Sequence, residues 1–524
     1  MKYIQGQNRR QACLFPVSLD EAIDPDNEVR LIDVFVNSLQ LGDYGFKVAF
    51  VENGRPAYHP ADLLKLFIYG YLNKVRSSRD LEKECKRNIE VMWLLNSLKP
   101  DHNTISNFRR DNPKPIKKVF RETVRIARHF DLIGGKLLAG DSTKFRAQNS
   151  KKNNFNQKKI DRHLEYIEKK LREYNEALAE SDGDKKEHAE KEIEKHTKRK
   201  QEYKRLEQQI KETGESQVST SDPDSRQMII RNNITEVAYN VQTTVDAKHC
   251  IPIDYRVTNH NDSKAMGNML RRAKAILKHN DFTALYDKGY HTGSEFDIAG
   301  QLGIEVMVAI PGKPLSSQAP DPAYNVENFI YNEKENTYTC PQGHTLTTNG
   351  TWHKTDNGSR FQQFKTMACK GCPVRGLCTK SEKNGKIVQR RLYADNIEAN
   401  RERIEKDPGT YRKRQAIVEH PYGTIKRQWG FSYVSTKKYL SRASADIGFM
   451  MVAYNLRRIM NILGKEKMRA YLAEAMNTLL SVVCGAIWSL IRAAKFEPVF
   501  SRLIFIRPLN RLYLFQNNKY GGGF

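Results

Sequence analysis

One stretch of this chain limits its fold more than any other. Ile160, Leu164, Ile167, Leu171, Tyr174 and Leu178 recur with spacings 4-3-4-3-4, the apolar seam of a coiled coil. Ser181-Asp182-Gly183-Asp184 breaks the stripe, and Ile193, Tyr203, Leu206 and Ile210 return a thinner one. Residues 157–213 therefore read as an antiparallel helical hairpin. Acids and bases nearly balance there, sixteen against twenty over 141–213, so the hairpin reads as a solvated arm whose partner the sequence does not name.

The flanks of that hairpin have a different period, which makes it an insertion. Before it, the apolar run Lys136-Leu137-Leu138-Ala139-Gly140 closes on Asp141. After it, 237–246 alternate and are rich in β-formers. Ile251 to Thr258 follows across Lys248-His249, which predicts a β-hairpin. Ala265, Met269, Leu270, Ala273 and Ile276 restore helical spacing. A strand ending at Asp287, a helix near 292–302 and a strand over 304–310 complete a mixed α/β sheet.

With 524 residues the chain exceeds one ordinary core, so several domains are expected. The readable divisions are 1–125, helical and DNA-binding; 126–310, the first part of the sheet domain; 311–395, a loop-rich insertion holding cysteines; 396–464, returning helices; and 465–524, a helical tail of unknown role. In the first, Leu63, Leu64, Phe67, Ile68 and Tyr71 follow Pro60 at helical spacing. Ser78 reads as the cap of a second helix, and Asp101 or Asn103 as the cap of a fourth. That fourth helix should bury Ile105 and Phe108 and turn Arg109 and Arg110 toward a DNA groove.

The net charge of +26 points to a polyanionic partner. Its placement sharpens this: residues 401–460 carry thirteen Lys/Arg against five Asp/Glu, and 365–391 eight against one. Met1 to Arg10 has no apolar signal region, so secretion is not expected. The run Leu479 to Ile491 is too short to span a membrane. A cytoplasmic, nucleoid-associated protein with no membrane partner follows.

Cys340-Pro341-Gln342-Gly343-His344, Cys369-Lys370-Gly371-Cys372 and Cys378 fall within 39 residues. A Cys-x2-Cys knuckle places two thiolates on one metal, and Gly371 reads as the residue that permits its turn. Cys340 and Cys378 would complete a tetrahedral zinc site, with His344 as a competing ligand. A small loop-rich segment needs such a staple. Cys13, Cys85, Cys250 and Cys484 read as packing residues.

Asp141, Asp287 and Glu419 are the acids with the most telling surroundings. Singly, each has a bland reading: a cap at Asp141, a turn residue at Asp287, a partner of Arg412 or Lys426 at Glu419. Jointly, two acids at strand ends and one on a helix can hold two divalent metals against a phosphodiester. Gly140-Asp141-Ser142-Thr143-Lys144, Leu285-Tyr286-Asp287-Lys288-Gly289-Tyr290 and Val418-Glu419-His420-Pro421-Tyr422-Gly423-Thr424-Ile425-Lys426 resemble bacterial insertion-sequence DDE transposases. The nearest branch has a helical N-terminal domain and a cysteine cluster before the glutamate. Val257 to Ser263 and Tyr454 to Ile459 are similar to that branch too, and the resemblance runs from about 10 to 464.

The resemblance implies a ribonuclease H-like mixed-sheet core with the helical hairpin and a zinc-ribbon-like insertion. Asp141 would bridge two Mg²⁺ (or Mn²⁺) ions, Asp287 would hold one and Glu419 the other. Activated water would nick the element's terminal inverted repeats, and the freed 3′-hydroxyl would attack target DNA. Synapsis of two ends implies a homodimer. The relatives' Tyr-x2-Arg-x3-Glu-x6-Lys pattern is met by Tyr411, Arg414 and Lys426, but one extra residue separates Arg414 from Glu419. On a helix that turns Arg414 by about 100°. Lys426 and Arg427 read as phosphate contacts. Trp429 reads as half-buried packing. Pro421 should end or kink the helix, leaving Glu419 near a helix end. Glu398, Glu402 and Glu405 are rival acids without the matching context. Asp222 and Asp224 read as Asx-turn caps around Pro223. Two other functions share these features: a non-catalytic zinc-containing repressor derived from a transposase, and a host nuclease of the same fold.

Overall fold

The computed structural model describes residues 18–474 apart from 50–55, 181–182, 232–233, 313–317, 356–357 and 382–383. Cys13, Cys484, the Leu479–Ile491 run and both chain ends lie outside the described residues. No described helix is long and apolar enough to cross a membrane.

Among the described residues seven helices lead into the sheet, from Glu28–Asn37 to Pro113–His129. Pro60 takes the first turn of Pro60–Leu72, as expected, with His59 as its N-cap. The cap of Ser78–Arg87 is Ser77, one residue earlier than the sequence suggested. Asp101 caps His102–Asp111 through Asn103 and Thr104. These helices do not have a core of their own. Leu64, Phe67, Phe120, Val241, Tyr255 and Phe449 belong to one continuous apolar cluster reaching from the N-terminal helices into the sheet and the Leu440–Leu463 helix.

Arg109 corrects the sequence reading. It is only 5% exposed, and its Nη1 meets Asp446 Oδ1 at 3.2 Å, Tyr71 Oη at 3.0 Å and the Arg76 carbonyl at 3.2 Å. It shares the buried side of its helix with Ile105 and Phe108, so it anchors this helix to Leu440–Leu463 and does not face DNA. Arg110 stays on the surface, forked onto Asp111.

Among the described residues the central sheet has six strands. Ile234–Asp246 pairs antiparallel along one edge with Leu137–Arg146, and along the other with Arg226–Arg231 and Ile251–Thr258. Leu137–Arg146 then pairs parallel with Thr283–Tyr286, and that strand with Glu305–Val308. Side chains alternate between faces. Ala139, Val245, Leu285 and Met307 pack under Ile417 and Val418 of the Pro408–Tyr422 helix. On that same face, Tyr255 meets Phe120 edge-on and donates to the Ser444 carbonyl. Met266–Leu277 and Gly293–Leu302 lie on the other face, which carries Gly140, Ser142, Asn240, Gln242 and Tyr286. The strand at the sheet's edge is closed by the Ala394–Lys406 helix: Asn400 both accepts from Val308 N and donates to Val308 O.

The hairpin insertion consists of Gln157–Glu180 and Asp184–Thr213, packed on each other through Ile160 and Ile167. A short pairing of Asn154–Phe155 with Val218–Ser219 closes its base. The cysteine insertion holds two small three-stranded sheets around Phe329, Tyr338, Leu346, Phe364 and Val388.

Candidate active site

Asp141 and Asp287 are neighbours because of strand register. The parallel pairing runs from Leu137↔Thr283 to Ala139↔Leu285, so the next residues in step bring the two acids side by side at the carboxyl end of Thr283–Tyr286. Crevices at the carboxyl ends of parallel strands are where α/β sheets bind ligands. Asp141 is not at the end of its own strand, however. The strand runs on to Arg146, because the long antiparallel neighbour still pairs with it, Asp141 opposite Thr243. Asp287 caps the turn Lys288–Tyr290, accepting from Gly289 N at 2.9 Å. Gly140 is required here: a Cβ would lie 2.0 Å from the Tyr286 ring, itself buried and packed on Tyr290 at 4.8 Å.

Asp141 accepts from the Ser142 amide at 2.7 Å and pairs with Arg414 Nη1 at 3.4 Å. Burial still pushes its carboxyl up to about 6, against Arg414 and Ser142, and the charges of Asp287 and Asp262 add to the rise. Desolvation and the charges of nearby acids both favour a cation at Asp141.

The Pro408–Tyr422 helix lies against these strands along one stripe. Tyr411 Oη donates to the Tyr286 carbonyl at 3.1 Å, one residue before Asp287. Arg414 meets Asp141. Tyr422 Oη reaches Thr243 Oγ1 at 2.7 Å and the Val241 carbonyl at 3.1 Å. The extra residue before Glu419 therefore moves the glutamate, while Tyr411 and Arg414 keep facing the acids. Glu419 lies about 140° around the helix from Arg414; it is exposed and accepts from Gln415 Nε2 at 2.8 Å. The α-helix ends at Tyr422, one residue past Pro421, which leaves Glu419 in its last turn, as expected. The backbone then continues as a π-type segment, Gly423–Gln428. This places Lys426 Nζ 2.9 Å from both Thr143 Oγ1 and the Lys144 carbonyl. Arg427 is exposed, and Trp429 is half-buried against Phe431 at 5.7 Å.

Two features were not readable from local sequence. Asp262 joins the acid group from the opposite face of the sheet; burial would raise its carboxyl, but Lys144 and hydrogen bonds from Asn240, Ser142 and Gln242 leave it below the ordinary value. Asp222 and Asp224 do more than cap their own turn: they accept from Tyr439 N and Leu440 N, at the start of the Leu440–Leu463 helix.

Cys340, Cys369, Cys372 and Cys378 line one small pocket with His344, with about 20 Å³ of free space. Burial raises the Cys378 thiol against the pull of Lys386, and the other three thiols push it the same way. As the side chains stand, no group of three or more His, Cys, Asp or Glu among the described residues is placed to hold a metal ion. The tight turn that needs glycine is at Gly343, φ +80°; Gly371 has φ −102°, open to any residue. Serving as packing residues, as expected, Cys85 is buried and Cys250 half-buried.

Comparison with known proteins gives two family matches. Residues 17–111 match a family described as Transposase domain (DUF772), and residues 339–460 match one described as Transposase DDE domain. The second covers the four clustered cysteines and Glu419; Asp141 and Asp287 lie outside it. No curated protein matches the chain. Among solved structures, the cryo-EM structure of the piggyBac transposase synaptic complex with hairpin DNA aligns over 91% of this chain and 81% of its own, at 10% identity and a TM-score of 0.30. That likeness is too slight to carry an argument.

Proposed function

We propose that the chain is a DDE-type DNA transposase that cleaves and joins the ends of its own insertion sequence by two-metal transesterification; its matches to a transposase domain over 17–111 and to a transposase DDE domain over 339–460 support this reading. Asp141, Asp287 and Glu419 are the proposed metal ligands. The observation that carries this reading is the meeting of Asp141 and Asp287 at one strand edge, with Asp141 pushed up to about 6 by burial. The donors are all carboxylate oxygens, which suits Mg²⁺ or Mn²⁺. When bound, such ions lower the pKa of attacking water and stabilise the leaving oxygen.

The protein's own residues would do the rest. Arg414, held beside Asp141, is placed to meet a phosphate oxygen once the acid has another partner. Lys426 lies along the same strand, where a backbone phosphate can replace the Thr143 contact. Tyr411 fixes the start of the helix to the strand that positions Asp287. The mixed sheet with acids at its parallel edge supports a ribonuclease H-like core for 126–310 and 396–464, with 1–125 and the basic 365–460 region contacting DNA. The four thiols facing one pocket support structural zinc in a zinc-ribbon-like 311–395. Two ends must be held together for joining, which favours a homodimer acting on terminal inverted repeats and target DNA.

The test replaces Asp141, Asp287 or Glu419 with Ala and measures Mg²⁺-dependent cleavage of element-end DNA. Loss in all three is expected; unimpaired cleavage in all three would sink the reading. The outward placement of Glu419 favours one rival, a repressor that binds without cutting. It predicts end binding with no cleavage in any divalent metal.

A further inference from the structure

Behind the two aspartates, on the opposite face of the sheet, lies a polar network that the proposed chemistry does not use. Asp262 Oδ1 accepts from Asn240 Nδ2 at 2.7 Å and from Gln242 Nε2 at 2.6 Å. Its Oδ2 pairs with Lys144 Nζ at 3.3 Å, and that ammonium also reaches Ser142 Oγ at 3.1 Å. Tyr290 Oη donates to Gln242 Oε1, closing the chain. Asn240, Gln242 and Tyr290 are all buried.

The network touches the Asp141 strand, its antiparallel partner and the turn that follows Asp287. Ser142 and Lys144 follow Asp141 on its strand and point to the other face. Gln242 and Asn240 pair with them across the ladder. Tyr290 ends the turn that Asp287 caps. The space beside Gly289, where a Cβ would sit, is bordered by Asp287 Oδ1 at 3.0 Å and Asp262 Oδ2 at 3.6 Å. Buried polar groups are costly unless satisfied; here Lys144, Asn240 and Gln242, from two strands, meet one carboxylate, and Tyr290 joins them through Gln242. Within a sheet otherwise packed by Leu138, Ala284 and Tyr286, a hydrophobic filling would give stability more simply.

We infer that Asp262 is a positioning residue: through Lys144 on one side and Gln242–Tyr290 on the other, it holds the Asp141 strand and the Asp287 turn at a fixed separation. It does so from behind and without touching DNA. This inference rests on the reading of Asp141 and Asp287 as metal ligands. Groups that orient metal ligands typically carry about 10–100-fold in metal affinity.

The experiment uses the full chain and Mn²⁺, with binding measured directly by titration calorimetry and melting temperature recorded alongside. Asp262→Asn keeps an acceptor for Asn240 and Gln242 but loses the ion pair with Lys144. It is expected to weaken Mn²⁺ binding about 10–100-fold and to raise the Mg²⁺ concentration for half-maximal cleavage, with KM for DNA unchanged. Lys144→Met, which cuts the same pair from the other side, is expected to move metal affinity in the same direction. Wild-type Mn²⁺ affinity in Asp262→Asn would overturn the inference. So would a fall in melting temperature and DNA affinity with metal affinity unchanged, which is the signature of a structural role alone. If Asp141→Asn binds Mn²⁺ as well as the wild type, the reading of the aspartates fails first and takes this inference with it.

Discussion

The strand that carries Asp141 and the helix that carries Glu419 lie against each other, but they are held by different means. Asp141 sits in a strand paired on both sides, with backbone bonds to Ile234–Asp246 and Thr283–Tyr286 and no room at Gly140 for the chain to shift. The helix is held by side chains: the hydroxyls of Tyr411 and Tyr422, the Arg414 pair, and a small apolar contact through Ile417 and Val418. Backbone pairing sets a position to within a residue. Side-chain docking sets which face of a helix is presented, and one inserted residue changes that. The two aspartates are thus fixed by the sheet, and the glutamate by the helix's phase.

The largest test concerns the frame behind both. Arg109 and Asp446 form a buried pair between the N-terminal helices and the Leu440–Leu463 helix. Removing one partner of such a pair leaves the other charge unpaired, at about 3–5 kcal/mol. Arg109→Met is therefore expected to lower stability to chemical denaturation by that amount, and Arg110→Ala to leave it unchanged. If the two variants behaved alike, side-chain anchoring would be weak even when buried, and the N-terminal helices would be free of the core.

Gly140→Ala attacks the strand side. Its Cβ would lie 2.0 Å from Tyr286 Cε1, a ring that Tyr290 keeps from moving away. Overpacking of this kind costs about 1–3 kcal/mol, sometimes more. Cleavage is expected to disappear even at temperatures where the variant remains folded, because Asp141 is the next residue. A folded variant that cuts normally would show that the strand can adjust as easily as the helix.

The same contrast explains what could be read from the sequence. The apolar run that closes on Asp287 marked a true strand end, whereas the one that closes on Asp141 did not, because the strand runs on to Arg146. The hairpin was legible from its own spacing, and its break falls where Ser181 to Asp184 put it. Partners far apart in sequence were not. Nothing near Arg109 announces Asp446, 337 residues on, so a basic side chain was read as outward. Asp222 and Asp224 serve a helix that begins more than 200 residues later. Asp262 depends on a sheet having already brought four segments together. The phase of Glu419 was flagged by its spacing, but only the docking of Tyr411 and Arg414 tells which side of the insertion moved.

Tyr422→Phe tests the helix side. It removes a hydroxyl bonded to Thr243 and Val241, a loss of about 1 kcal/mol. The Asp141 carbonyl, 3.4 Å from the same hydroxyl, loses a neighbour as well. Cleavage should fall more than this stability change alone would cause, since the helix end near Glu419 is released from the strand. Equal folding with undiminished cleavage would mean that Tyr422 does not set the helix's position.

The smallest effect should come from Gln415→Ala. The bond from Gln415 to Glu419 is an exposed contact one helical turn long, of the kind that stabilises a helix by about 0.2–0.5 kcal/mol. Thermal unfolding should barely change. Cleavage is the informative measurement, because this bond holds Glu419 on the outer side of the helix. If the glutamate must turn toward Asp141 and Asp287 to work, freeing it should leave cleavage intact or raise it, and the Mg²⁺ requirement should not increase. A tenfold loss would argue the opposite: the outward orientation would be the working one, Gln415 would be part of the site, and the third carboxylate would have to be sought elsewhere.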